Sequence, residues 1–157
     1  MFGNYPEIRQ IILAAHNLLR WVIVILAVYA LVRLILGWVQ KKDWIQPDQK
    51  AVTFFTIALD IQLLLGLLLY FVFSDLIKAA FSDFGAAMGN QVLRFFTVEH
   101  SLMMVLAIVV AHVANAAGKK DLPDAKKYQR VTLLVGLAVV LIVAGIPWTS
   151  RPLLPVF

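Results

Sequence analysis

Three histidines, His16, His100 and His112, stand inside long apolar runs of this chain, with Arg20, Arg33, Asp60, Gln62 and Glu99. Ionisable side chains are expensive in hydrocarbon, and those kept there pair with one another, carry protons or line functional cavities. Neutral imidazole suits a metal, since one ring nitrogen offers a lone pair while the other donates a hydrogen bond. The chain has no cysteine. Disulfides, thiolate metal sites and c-type haem attachment are thereby excluded.

The elements that must position these groups follow from composition. Of 157 residues, 62% are hydrophobic and 15% charged, against about 25% charged in a soluble domain. So small a domain has too much surface to hide that apolar surplus. Four apolar segments approach or exceed the ~20 residues that span a bilayer: Ile11 to Leu36, Ala51 to Phe73, Val92 to Ala117, and Tyr128 to Ile146, closed by Pro147. The expected fold is all-α: one integral membrane four-helix bundle over 1–157, made of uninterrupted helices. Met1 to Gln10 lacks a basic n-region and contains Glu7, so it does not read as a signal peptide.

The connections set the expected topology. Gly37–Lys50 carries Lys41, Lys42 and Lys50, and Gly118–Arg130 carries Lys119, Lys120, Lys126, Lys127 and Arg130. The opposite side carries Arg9, Lys78, Arg94 and Arg151. Because cytoplasmic loops are enriched in Lys and Arg, both termini are expected on the outer side of a bacterial cytoplasmic membrane. The net charge of +5 therefore reflects topology, and no nucleic-acid partner is implied. The middle connection, Ser74–Gln91, mixes Leu76, Ile77, Phe81 and Phe84 with Asp75, Lys78 and Asp83. It reads either as a short interfacial helix or as an ordinary loop ending at Gly85 and Gly89. Trp21, Trp38, Trp44 and Trp148 suit aromatic belts.

Depth connects two of the histidines. At about 1.5 Å per residue, His16 lies ~10 Å and His100 ~6 Å from their helix centres, both toward the outer face. The first and third helices run parallel, so both rings reach one level. Two imidazoles facing each other across a bundle meet the needs of a six-coordinate haem iron. Arg20, four residues after His16, and Arg94, six before His100, are placed to pair with propionate carboxylates. Glu99 points away from His100 and is expected to pair with Arg20 or Arg94. Met103 would be a weaker axial ligand than histidine.

His112 lies about 18 Å further down the helix from His100. It has no second histidine for another bis-histidine haem, so it reads as a hydrogen-bonding residue near Asn115 or Arg33, or as part of a second, differently ligated site. Gln62, Gly66 and Tyr70 form one stripe on the second helix. Gly66 allows close approach or makes room for a flat ring, and Gln62 can reach a histidine, a propionate or a quinone carbonyl. Simple inter-helix adhesion explains the stripe equally well. Asp60 points away from it, either protonated or paired with a neighbour in a larger complex. No phosphate loop, zinc-protease motif, voltage-sensing helix or catalytic residue stands out.

The segments His16–Trp21, Gln62–Gly66 through Tyr70, Arg94–Phe96 with Glu99–His100, and Gly145–Trp148 resemble small four-helix bacterial membrane proteins described as cytochrome b-like. Nearly the whole chain is covered. It is distantly similar to one four-helix half of haem A synthase. The resemblance implies a b-type haem held by His16 and His100. Three histidines depart from the four ligands of a di-haem pattern. The expected function is electron transfer between a quinol and a partner protein, as a subunit or accessory of a respiratory or photosynthetic complex rather than a stand-alone enzyme. A cofactor-free structural or assembly subunit is the alternative. A quinone- or haem-handling enzyme would need a further pocket.

Overall fold

A computed structural model describes residues 6–148, and among them every regular element is helical. Four spans are long and apolar enough to cross a membrane: Pro6–Val39, Gln46–Phe73, Gln91–Gly118 and Asp124–Gly145. The first is α1 (Pro6–Val39). The second is α2 (Gln46–Leu68) continued by a π-turn, Leu69–Phe73. Then come two short helices, α3 (Asp75–Ser82) and α4 (Phe84–Gly89). The third span joins α5 (Gln91–Arg94), a second π-turn (Phe95–Glu99) and α6 (His100–Gly118). The fourth is α7 (Asp124–Gly145).

Spans two and three are continuous helices, and each contains a π-turn near the α3–α4 end. The first helix starts at Pro6 rather than near Ile11. Its 34 residues extend about 51 Å, well beyond the ~30 Å hydrocarbon core. Of the two readings of the middle connection, helix prevails. Ser74 caps α3 by accepting from the Ile77 amide at 3.2 Å, and Asp83 caps α4 by accepting from Ala86 at 2.9 Å, which satisfies amides a helix start leaves free.

α1 packs on α2 and α7, and α6 packs on α2 and α7. The bundle is thus a square with α1 and α6 on one diagonal. Small residues line the seams: Ala27, Ala30, Ala51, Ala58, Ala107, Ala111, Ala114 and Ala138 are all buried. In lipid, small residues let backbones approach and gain dispersion contacts. Large apolar residues turn outward instead, among them Ile25, Val32, Phe54, Leu64, Val109 and Val140. Each span buries only 28–39% of its most apolar window. The outward surface is therefore hydrocarbon, as a lipid-facing bundle requires.

A polar staple closes the end that bears the basic connections, here the basic end. Asp48 is 2% exposed. It accepts from Arg33 Nε at 3.0 Å and Nη2 at 2.8 Å. It also accepts from the Ile45 amide at 3.1 Å and the Tyr128 hydroxyl at 2.6 Å. A buried carboxylate survives only when paired and hydrogen-bonded in this way. The Tyr128 ring lies on Gly37, where a Cβ would collide with it. α1, α2 and α7 are thereby pinned together. Beside the staple, Asn115 Oδ1 accepts from Gln49 at 2.7 Å and Thr53 at 2.9 Å, tying α2 to α6.

Removing the carboxylate strands the Arg33 guanidinium. Asp48→Ala is expected to destabilise the bundle by about 3 kcal/mol, and Tyr128→Phe by about 1 kcal/mol. Unfolding in mixed detergent micelles, compared with wild type, reads both. Equal stability of Asp48→Ala and wild type would show that the staple contributes nothing.

Candidate functional site

The two histidines at matching depth meet in one cavity. It measures about 340 Å³ and lies toward the end carrying α3 and α4, here the capped end. Its volume falls within the range of ligand pockets, roughly 300–1,000 Å³. His16 comes from α1 and His100 from α6, the diagonal pair, so they contribute from opposite corners. Gln62, Gly66 and Tyr70 supply the α2 wall, and Met104, Ile142 and Pro147 the far side. Leu76 and Ile77 of α3 close the mouth.

The end of α7 positions the His100 ring. α7 stops at Gly145, and Pro147 two residues on has no amide hydrogen to continue the ladder. The Gly145 carbonyl would be an orphan acceptor in a medium without water. His100 Nδ1 lies 2.7 Å from it, so Nδ1 carries the proton and donates. In the neutral ring, the lone pair is then on Nε2. Holding one imidazole nitrogen on a backbone carbonyl is a common way to fix the tautomer of a metal ligand. Close packing sustains the bond, because a Cβ on Gly145 would strike Met104 Cε and lie 3.2 Å from Met103 Cβ.

His16 is held differently. Its backbone carbonyl accepts from Gln62 Nε2 at 2.9 Å. Its Nδ1 is buried and makes no hydrogen bond, and Gln62 Oε1 is in the same condition. A Cβ on Gly66 would sit 3.4 Å from His16 Cε1. Gly66 thus gives the ring its room, and a larger residue there would press on it. A buried polar atom without a partner loses several kcal/mol of hydration, so an occupant able to satisfy His16 is favoured.

The π-turns shape this cavity. Leu69, Tyr70 and Phe73 of the first turn and Phe96 of the second line it. The Tyr70 hydroxyl donates to the Thr97 carbonyl at 2.8 Å, so the turns brace each other. Phe95 and Phe96 flank the His100 ring at 6.1 and 6.2 Å between centroids. Neither phenylalanine stands out among the candidate residues of the sequence. No residue pattern announces a π-turn, although such turns concentrate at functional sites.

The remaining candidates separate. Arg20 lines the cavity and is 8% exposed. Arg94 is off it, with Nε on Glu99 Oε1 at 2.7 Å and Nη1 on the Met88 carbonyl at 3.1 Å. Arg9, Gln10 and Asn17 border the cavity instead. Arg9 had been weighed only as a topological charge. His112 partners neither Asn115 nor Arg33, because its Nε2 lies 2.8 Å from Asp60 Oδ1. Arg33 and Asn115 belong to the basic-end networks. Met103 touches Gly145 rather than the cavity. Among the described residues, no group of three or more His, Cys, Asp or Glu side chains gathers to hold a bare metal ion. Comparison with protein-family profiles, curated proteins and solved structures finds no match.

Two glycines of α7 separate packing from helix propensity. Nothing lies within 4 Å of a Cβ on Gly136. Gly136→Ala is therefore expected to stabilise the protein by about 0.5–1 kcal/mol. Gly145→Ala is expected to lower the melting temperature, because Met104 and Met103 must move and the carbonyl shifts away from His100. Melting curves of both variants in one detergent check the opposite signs.

Proposed function

We propose that this chain is a membrane electron-transfer protein holding one b-type haem between His16 and His100. The supporting observation is the pair itself: two histidines from diagonal helices on one largely apolar cavity, one with its tautomer set by the Gly145 carbonyl and the other with a buried, unpartnered nitrogen. Neutral imidazoles with free lone pairs are the donor set a low-spin haem takes. The resemblance of these segments to small cytochrome b-like proteins points the same way.

The residues present fit such a group. Leu59, Leu69, Phe96, Met104 and Ile142 give the apolar walls that a porphyrin face needs. Arg9 and Arg20 bring two guanidiniums to the same cavity, and guanidinium is the preferred partner of a propionate carboxylate. Arg9 stands about 10 Å nearer the mouth than His16, where carboxylates would project. A bound haem supplies reversible one-electron exchange at iron. The chain's part is to hold both imidazoles, exclude water and set the potential through burial and nearby positive charge.

The basic residues at the opposite end support placing the capped end outward, with both termini outside and the haem near the outer face of a bacterial cytoplasmic membrane. A quinol as donor and a protein as acceptor complete the reading, within a larger electron-transport assembly.

A reduced-minus-oxidised visible spectrum of the detergent-purified protein tests the proposal. Sharp b-type bands are expected, lost in His16→Ala and in His100→Ala and kept in His112→Ala. A colourless protein from haem-replete cells would sink it.

A further inference from the structure

Asp60 and His112 form the one acid–base side-chain contact that joins two spans from the outside of the bundle, among the described residues. Asp60 is midway along the Gln46–Phe73 span. Its Oδ1 lies 2.8 Å from His112 Nε2, with the two side chains 43% and 54% exposed. Large apolar residues of the same two helices face outward, Phe54, Ile57, Ile61 and Leu64 of α2 and Val105, Val109 and Val113 of α6, while the Thr53–Asn115 contact lies on the same seam toward the basic end. A hydrogen-bonded acid–base pair is thus presented sideways to hydrocarbon, where ionisable groups are costly and point to function.

We propose that this pair is a lateral binding site for the head group of a membrane quinol or quinone. The proposal rests on the electron-transfer reading above and names its donor site. Access decides the class of ligand. The pair is reached through lipid, so its ligand partitions into the bilayer and carries polar oxygens on a flat ring. The surroundings argue against a packed helix as the occupant. Close helix contact in membranes uses small residues, and those of this chain, such as Ala107, Ala111 and Ala114, face inward. The outward rim is branched and aromatic.

The chemistry follows from the two ring nitrogens. With Asp60 ionised, Nε2–H donates to Oδ1 and Nδ1 offers its lone pair to a quinol hydroxyl. When that O–H bond breaks, its proton forms an N–H bond at Nδ1. The Nε2 proton moves to Asp60 Oδ1 in the same exchange. The pair goes from one negative charge to none while the quinol oxygen takes up that charge, and the two electrons that complete oxidation to the quinone would leave one at a time to a bound haem, the second proton going to the aqueous edge. In that neutral form Nδ1–H donates to a quinone carbonyl. The pair therefore recognises both oxidation states, with opposite hydrogen-bond polarity. Leu59, next to Asp60, lines the histidine cavity, so about one helix diameter, ~10 Å, separates the two sites.

The test uses the full chain in lipid nanodiscs and an azido-substituted benzoquinone with an isoprenoid tail. After photolysis, labelled peptides are mapped by mass spectrometry, with decyl-ubiquinone as competitor. Competed labelling is expected within residues 54–64 and 105–113. It should fall at least tenfold in Asp60→Leu and in His112→Phe, and persist in His16→Ala. Asp60→Asn and His112→Gln, which keep shape and polarity, guard against misfolding, with wild-type elution required of every variant scored. Labelling that is uncompeted, confined to the cavity, or unchanged in all four pair variants would overturn the site. So would disulfide-linked dimers of Asp60→Cys whose formation ignores the quinone. A visible spectrum of the same samples separates the two ideas. Haem bands without labelling would defeat this site alone. Labelling of a colourless protein would leave the site standing and defeat the cytochrome.

Discussion

The hydrogen bond between His100 and the Gly145 carbonyl is the interaction on which the rest of the site depends. It arises from a constraint of the medium. A helix that ends inside a membrane protein leaves carbonyls that water cannot reach. Here Pro147 ends the helix and an imidazole closes it. The same contact that completes α7 selects the tautomer of the ring and points its lone pair away from the backbone. Gly145 is favoured because two methionines of α6 occupy the space a Cβ would take, and that closeness brings donor and acceptor within reach.

The two ends of the bundle hold polar groups differently. At the basic end Asp48 is saturated by four donors from three residues, and Asn115 is shared by Gln49 and Thr53, although Gln49 Oε1 and Thr132 Oγ1 are buried without partners. At the capped end, His16 Nδ1, Gln62 Oε1 and Thr97 Oγ1 are in that condition too, and the first two belong to residues that line one cavity. Unpaired buried groups are kept where something offsets them. The bundle is anchored through Asp48 at one end, and the histidine cavity is at the other.

Much of this was legible in the sequence. Long apolar runs mark the four spans, because no other residue pattern survives in lipid. A constant rise per residue puts His16 and His100 at one level, and helical spacing sends Asp60 away from Gln62. Three things were hidden. The start of α1 lies in a polar stretch, Pro6–Gln10, that hydropathy ignores. The Asp60–His112 contact joins two residues read separately, His112 beside Asn115 or Arg33 and Asp60 as protonated or paired in a larger complex. The pairing of Arg94 with Glu99 was one of two options, and its five-residue spacing is out of register for an α-helix. The π-turn between them brings residues five apart onto one face, but nothing in Phe95–Glu99 encodes it by composition.

The π-turns carry a consequence for the history of the chain. Each accommodates one residue more than an α-helix would, so each behaves as a single-residue insertion absorbed without shifting the ends. Undoing the insertion at Phe95–Glu99 would turn His100 by about 100° relative to Arg94, while α6 beyond it stayed pinned through Asn115. Length in these two short stretches is therefore a heritable property of the site, as decisive as the identity of the histidines. A descendant that lost one residue there would keep its bundle, its hydropathy and all three imidazoles, yet present a different pocket.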